Sequence, residues 1–122
     1  MDESVREALN KGGLVDITTI GRRTGDARRI EIGFHNIDGH LYISGIPRPK
    51  KRGWLLNLEA QPHFTFHLKG PVSADLPATA RVITDASERR EVLAKVARSW
   101  KRDSELEDLV RASPLVEVKL PE

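Results

Sequence analysis

The chain has 122 residues, 31% of them charged and 39% drawn from AVILMFWYC, which is the length of one domain and the composition of a folded, soluble protein. No run reaches the roughly 18 apolar residues of a membrane span, and the acidic start Met1-Asp2-Glu3-Ser4 lacks an apolar leader. The absence of cysteine excludes disulfide scaffolds, thiolate metal sites and cysteine nucleophiles; it fits a reducing compartment, so we expect a single domain over 1–122 in the cytoplasm.

In chain order, residues 2–11 carry Val5, Ala8 and Leu9 on one helical face, and Gly12-Gly13 ends that helix. Leu14 to Ile20 is rich in β-branched residues and reads as a strand. A polar, glycine-bounded turn follows, Gly21-Arg22-Arg23-Thr24-Gly25-Asp26. From Arg28 to Ile37 apolar residues alternate with polar ones, the period of a half-buried strand. Asp38-Gly39 predicts a type I′ hairpin returning through His40 to Ile46, where Pro47 and Pro49 stop the strand. The hairpin sets His35 opposite Tyr42 as a cross-strand pair.

Lys51 to Ala60 reads as a short helix with Trp54, Leu55 and Leu58 at helical spacing, ended by Gln61-Pro62. His63 to Leu68 alternates again with Phe64, Phe66 and Leu68 inward. Val72 to Thr84 is a longer strand, and Pro77 within it implies an edge position or a bulge. Asp85 with Glu88 forms a capping signature for a helix whose buried stripe runs from Val92 to Trp100. Ser104 with Glu107 repeats the signature before a helix ending near Ala112, and Leu115 to Leu120 closes the chain as a strand. Two-periodic strands joined by hairpins predict an α+β fold: a small antiparallel barrel of about six strands with helices outside.

Much common chemistry is missing. There is no dinucleotide-type G-x-G-x-x-G, no P-loop and no G-x-S-x-G elbow. His63 and His67 lie about 13 Å apart along a strand, too far to share a metal, and are expected to face outward. Any reaction would therefore be carried by a cofactor.

What is present is clustered positive charge. Arg22, Arg23, Arg28, Arg29, Arg48, Lys50, Lys51 and Arg52 lie between Ile20 and Arg52, against Asp26, Glu31 and Asp38. The glycine-bounded turn directs backbone N–H groups at one spot, with Thr24 and the guanidinium forks suited to phosphate. Ile43-Ser44-Gly45-Ile46-Pro47 leaves backbone accessible to a flat ring. Lys50-Lys51-Arg52-Gly53-Trp54 brings a basic approach to a helix bearing an indole.

Two of these segments form an ordered motif pair. Thr19-Ile20-Gly21-Arg22-Arg23-Thr24-Gly25-Asp26-Ala27-Arg28 matches T-x-G-R-[KR]-[ST]-G-x-x-R. Ser44 stands ten residues before Trp54-Leu55-Leu56-Asn57-Leu58-Glu59-Ala60-Gln61-Pro62, which follows W-Y-x-N-L-x-A-x-P with Leu55 in place of Tyr. From Leu14 to Trp100, about seven-tenths of the sequence, the chain resembles the deazaflavin-dependent nitroreductase/quinone reductase family of the split β-barrel flavin-binding class.

The resemblance implies coenzyme F420 as cofactor, with hydride transfer to a quinone, nitro compound or other electron-poor small molecule. It implies that Arg22, Arg23, Thr24 and Arg28 hold the phosphate and acidic tail. The strand Arg29-Ile30-Glu31-Ile32-Gly33 would supply backbone, Ile43, Ser44, Gly45 and Ile46 would lie along the ring, and Lys51, Arg52 and Trp54 would close the site. Ser44 is the candidate catalytic hydroxyl. Members of this fold occur as monomers and homodimers, and its relatives also use FMN or haem, so these are the alternative cargoes. A basic-patch nucleic-acid binder is the non-enzymatic alternative, but no nucleic-acid motif supports it. No metal is expected. The chain departs from the family at Ile46-Pro47, where many members have Gly-Gly, and in having no tyrosine after Thr84.

Overall fold

The computed structural model describes residues 1–121. Its order is α1 (Glu3–Lys11), β1 (Gly13–Ile20), β2 (Ala27–Ile37), β3 (His40–Ser44), α2 (Gly53–Ala60), β4 (His63–Leu68), β5 (Ala74–Val82), α3 (Ala86–Ser99), α4 (Leu106–Ala112) and β6 (Leu115–Lys119). The six strands close into an antiparallel barrel in the order β1-β2-β3-β6-β5-β4, so the expected α+β barrel forms. Among the described residues no helix is long and apolar enough to cross a membrane.

Alternation along the strands places one side chain in two inside the barrel. Ile17, Ile43 and Phe66 are fully buried there. Phe34 meets Phe66 edge-on, with centroids 5.2 Å apart at 85°, a geometry adding about 0.5–1.5 kcal/mol beyond burial. The outward side chains of β3 and β6, Tyr42 and Leu115, join Val92, Leu93, Val96 and Leu109 in a second core beneath α3 and α4. Arg89 binds this layer together, donating to the carbonyls of Ile83, Leu109, Val110 and Ser113.

The hairpin at Asp38-Gly39 has φ of 53° and 85°, the two left-handed residues of a type I′ turn, and it sets His35 opposite Tyr42. The expected extent of four elements is corrected, β5 running Ala74–Val82 rather than Val72 to Thr84. β3 ends at Ser44 rather than Ile46, because the chain leaves the sheet at Gly45. α2 starts at Gly53 rather than Lys51. Ser104 does not cap a helix: Asp103–Glu105 form a 3-10 turn, and α4 begins after it without a side-chain cap.

The barrel is incompletely laced at several places, β5 and β2 among them. β5 pairs with β4 from Ala74 to Thr79 and β6 joins its other side only from Thr79 onward, so Pro77 lies on a stretch with one neighbour, where its missing N–H is harmless. β2 pairs with β1 from Ala27 to Phe34, but β3 joins its other side only at Phe34–Ile37. From Ala27 to Gly33 one edge of β2 therefore has no strand beside it, and this opening positions the site.

Candidate coenzyme groove

The turn between β1 and β2 is built from its glycines. Gly21 N–H donates to the Asp26 carbonyl and Gly25 N–H to the Gly21 carbonyl, both at 2.8 Å. A Cβ on Gly21 would lie 3.0 Å from Thr24 Oγ1 and 3.2 Å from the Asp26 carbonyl oxygen, so any larger residue there would press on the loop's own closing contacts. Gly25 takes φ +77°, a left-handed conformation that glycine adopts at little cost.

Asn57, buried on α2, fixes the turn to the helix. Its Oδ1 accepts from the Arg22 backbone N–H at 3.1 Å and from Arg22 Nη1 at 3.3 Å. Its Nδ2 donates to Thr19 Oγ1 at 3.1 Å, and Thr19 is fully buried. Arg22 and Trp54 thereby face one open groove of about 470 Å³, whose walls also include Arg23, Thr24, Arg28 and Ile30. Trp54 is half-buried, resting partly on the main core. The N-terminus of α2, with no side-chain cap, lies at the same groove through Gly53.

The turn differs from expectation in where its amides point. The N–H groups of Gly21, Arg22, Gly25 and Asp26 are all engaged within the turn or with Asn57, the last through Thr24 Oγ1 at 3.2 Å. Those four amides do not converge on a ligand. The guanidinium groups of Arg22, Arg23 and Arg28, and the O–H that Thr24 has left to donate, face the groove instead.

Other residues singled out in the sequence lie elsewhere. Arg29 and Glu31 point to the outer face of the sheet: Arg29 Nε binds Asp16 at 3.0 Å, and Lys69 bridges Asp16 and Glu31. The bonds from Lys69 and Arg29 hold the Asp16 carboxyl below its ordinary value. Ile32 packs on the main core, and Gly33 pairs with Leu14. Ile43 is fully buried, and Ile46 is exposed. Ser44 is 3% exposed, opposite Leu115, and its Oγ has no hydrogen-bond partner. Gly45 lies under the Arg52 guanidinium, whose Cζ would be 3.3 Å from a Cβ there. Lys51 and Arg52 line a different cavity, together with Leu55 and Glu59 of α2. His67 alternates outward as expected, yet it is 7% exposed rather than solvated. Thr18 Oγ1 at 2.7 Å and Asp75 Oδ1 at 2.6 Å clasp its two ring nitrogens, and the second bond lowers the Asp75 carboxyl from its ordinary range. Among the described residues no cluster of side chains suits a metal ion.

The roles of Asn57 and Arg89 are not apparent from sequence alone. Asn57 falls inside the second motif, but its partners are 35 and 38 residues away and follow no local pattern.

Residues 2–108 match the model of F420H(2)-dependent quinone reductases. The chain belongs to that family. Its cofactor is accordingly coenzyme F420, and its class is the F420-dependent reductases. A search of curated proteins finds no match. Among solved structures the fold is similar to the conserved hypothetical protein Rv2991 from Mycobacterium tuberculosis, at 16% identity and TM-score 0.78, over 100% of this chain and 82% of that one. It is similar to an F420-H2 dependent reductase, FDR-A, at 20% identity and TM-score 0.63, over 88% and 94% of the two chains. It is also similar to HutZ, a heme storage protein from Vibrio cholerae, at 13% identity and TM-score 0.69, over 99% and 90%. At these identities the likeness speaks for the split-barrel fold alone.

The groove fits the family's cofactor. Its three arginines and one hydroxyl suit an anionic tail, Trp54 and Ile30 give apolar surface for a flat ring, and the unlaced edge of β2 runs beside them.

Proposed function

We propose that the protein transfers hydride from reduced F420 to a quinone, a nitro compound or another electron-poor small molecule. The observation that carries this reading is that Arg22 and Trp54, from the two motifs, share one groove along the open edge of β2. When bound, the coenzyme supplies the hydride; the protein supplies binding and orientation.

Arg22, Arg23 and Arg28 neutralise the phosphate and acidic tail by charge-assisted hydrogen bonds, and Thr24 donates one more. Along Arg29–Gly33 the contribution is backbone: alternate peptide groups on the side away from β1 are free to bond a ligand, while the side chains of Arg29 and Glu31 are held elsewhere by ion pairs. Trp54 and Ile30 cover the ring and exclude water. Ile43 to Ile46, which the resemblance sets along the ring, do not line this groove, and the unpartnered Ser44 Oγ is buried, so neither a ring wall nor a catalytic hydroxyl is drawn from them. Lys51 and Arg52 act from the lip of α2 by their positive field rather than by contact in the groove.

The relatives named above carry different cargoes on this fold, so the FMN and haem alternatives are weighed by the family match rather than by shape. The protein acts as a monomer or homodimer in this proposal. The test is turnover: reduced F420 is mixed with the purified protein and a panel of benzoquinones and nitroaromatics. Acceptor-dependent recovery of the oxidised coenzyme spectrum is expected. Failure of every acceptor, with no coenzyme binding at tens of micromolar, would refute it.

A further inference from the structure

The cavity on the other face of α2 holds more positive charge than the fold uses. It measures about 520 Å³ and lies between α2, the end of β5 and the segment entering β6. Arg48, Lys50, Lys51, Arg52, Arg89 and Arg111 line it, against one carboxylate, Glu59. Glu59 is already bound by Lys51 at 2.9 Å. Arg111 is paired with Asp108 at 2.7 Å, and Arg89 spends four of its five N–H donors on carbonyls. Among the described residues Arg48 and Lys50 have no hydrogen-bond or ion-pair partner, and Arg52 has only the Ile46 carbonyl, at 2.6 Å.

Three cations without a carboxylate are therefore gathered around one hollow. Arg52 is fixed there. Its guanidinium lies against Gly45 and near Pro114, both about 3.3 Å from where a Gly45 side chain would begin, so the missing Cβ makes its seat. Burial, and then the like charge of Arg48, lower the Arg52 guanidinium from its ordinary value, which places the two cations in each other's field. Ser113 also lines the cavity; it is 3% exposed, and its Oγ is buried with no partner. A cluster of unneutralised guanidinium and ammonium groups beside an unused hydroxyl is complementary to an oxyanion.

We propose that this cavity is a second anion site, distinct from the groove at Arg22, which takes the phosphate or carboxylate group of a small molecule through Arg48, Lys50, Arg52 and Ser113. The assignment does not depend on the redox reading. The anion is either part of a separate molecule or the distal carboxylates of the coenzyme tail, and the two sources have the same chemistry.

The test is a titration of the full chain with inorganic phosphate at constant ionic strength, followed by amide and Arg side-chain resonances in 15N spectra, with chloride as the control. Saturable shifts at Gly45, Arg52 and Ser113 are expected with phosphate and not with chloride. In R48Q/K50Q the affinity read at these resonances should fall at least fivefold, while in R22A/R23A it should persist. Loss of the response in R22A/R23A with retention in R48Q/K50Q, or linear shifts equal for the two anions, would overturn the proposal. A parallel titration with F420 bearing and lacking its tail identifies the source. Weakening of only the tailed form in R48Q/K50Q assigns the site to the coenzyme's carboxylates, and unchanged affinity for both assigns it to a separate anion. If F420 binds to neither protein, the functional reading fails while the phosphate result still stands.

Discussion

Replacing Asn57 with Ala removes the tie between α2 and the arginine turn. Three groups then lose a partner, of which the Arg22 guanidinium is exposed and rehydrates readily. Thr19 Oγ1 is fully buried and would be left without its hydrogen bond, at about 1–3 kcal/mol. The Arg22 N–H is closer to water, so its loss is worth about 0.5–1.5 kcal/mol. Together these give roughly 3 kcal/mol, which for a domain of this length is a fall of about 12 °C in Tm at roughly 4 °C per kcal/mol. The turn, freed from the helix, no longer presents Arg22 beside Trp54, so coenzyme affinity should drop about tenfold or more. Asn57→Asp separates the two effects. It keeps an acceptor for Arg22 and lets the Thr19 hydroxyl turn to donate, recovering about half the stability, yet it adds a negative charge at the groove and weakens coenzyme binding further. Urea unfolding followed by tryptophan fluorescence measures the first quantity, and fluorescence titration with F420 the second. A loss below about 0.5 kcal/mol in Asn57→Ala, with affinity unchanged, would refute the claim that this side chain assembles the groove.

Three other outcomes are expected. Arg22→Ala with Arg23→Ala should weaken F420 binding by a few kcal/mol, from roughly 1.5–3 kcal/mol per charged hydrogen bond, with little change in Tm because both are exposed turn residues; calorimetric titration and thermal melts check this. Arg89→Met should cost about 3 kcal/mol or more, since it strips partners from four carbonyls joining α3 to α4 and β6; equilibrium urea unfolding reads it directly. His35 meets Trp100 edge-on with ring centroids 5.2 Å apart, and burial lowers its folded pKa from 6.5. The unfolded chain thus binds the proton more readily: the contribution of neutral His35 is complete above pH 6.5 and is lost as the pH falls from there through the folded value. His35→Phe keeps the ring contact, so its Tm should drop less than the wild type's between pH 7 and pH 5; parallel curves would contradict the assignment.

The barrel was legible because its signals are local. Phe64, Phe66 and Leu68 alternate, Asp38-Gly39 dictates its own turn, and Asp85 caps α3 through Glu88 as the spacing requires. The boundaries at Ser44 and Gly53 were less so, because Pro47 and Pro49 announce a break without saying where the sheet lets go. The groove was half visible. Arg22, Arg28 and Trp54 follow from motif order, whereas the engagement of the turn's amides depends on Asn57 and Asp26 closing around them, which only folding decides. Alternation already sets Arg29 and Glu31 on the face opposite Ile30, but their partners Asp16 and Lys69 lie far off in the sequence and follow no local pattern. The basic cavity is not legible in the sequence because it joins Arg48 and Ser113, 65 positions apart.

The most direct test of the central claim is a 15N titration of the protein with oxidised F420. The account predicts that the largest saturable shifts fall on Arg22, Thr24, Arg28, the β2 amides from Arg29 to Gly33 and the Trp54 indole. Shifts concentrated on other surfaces, with Arg22 and Trp54 unmoved at saturation, would contradict it.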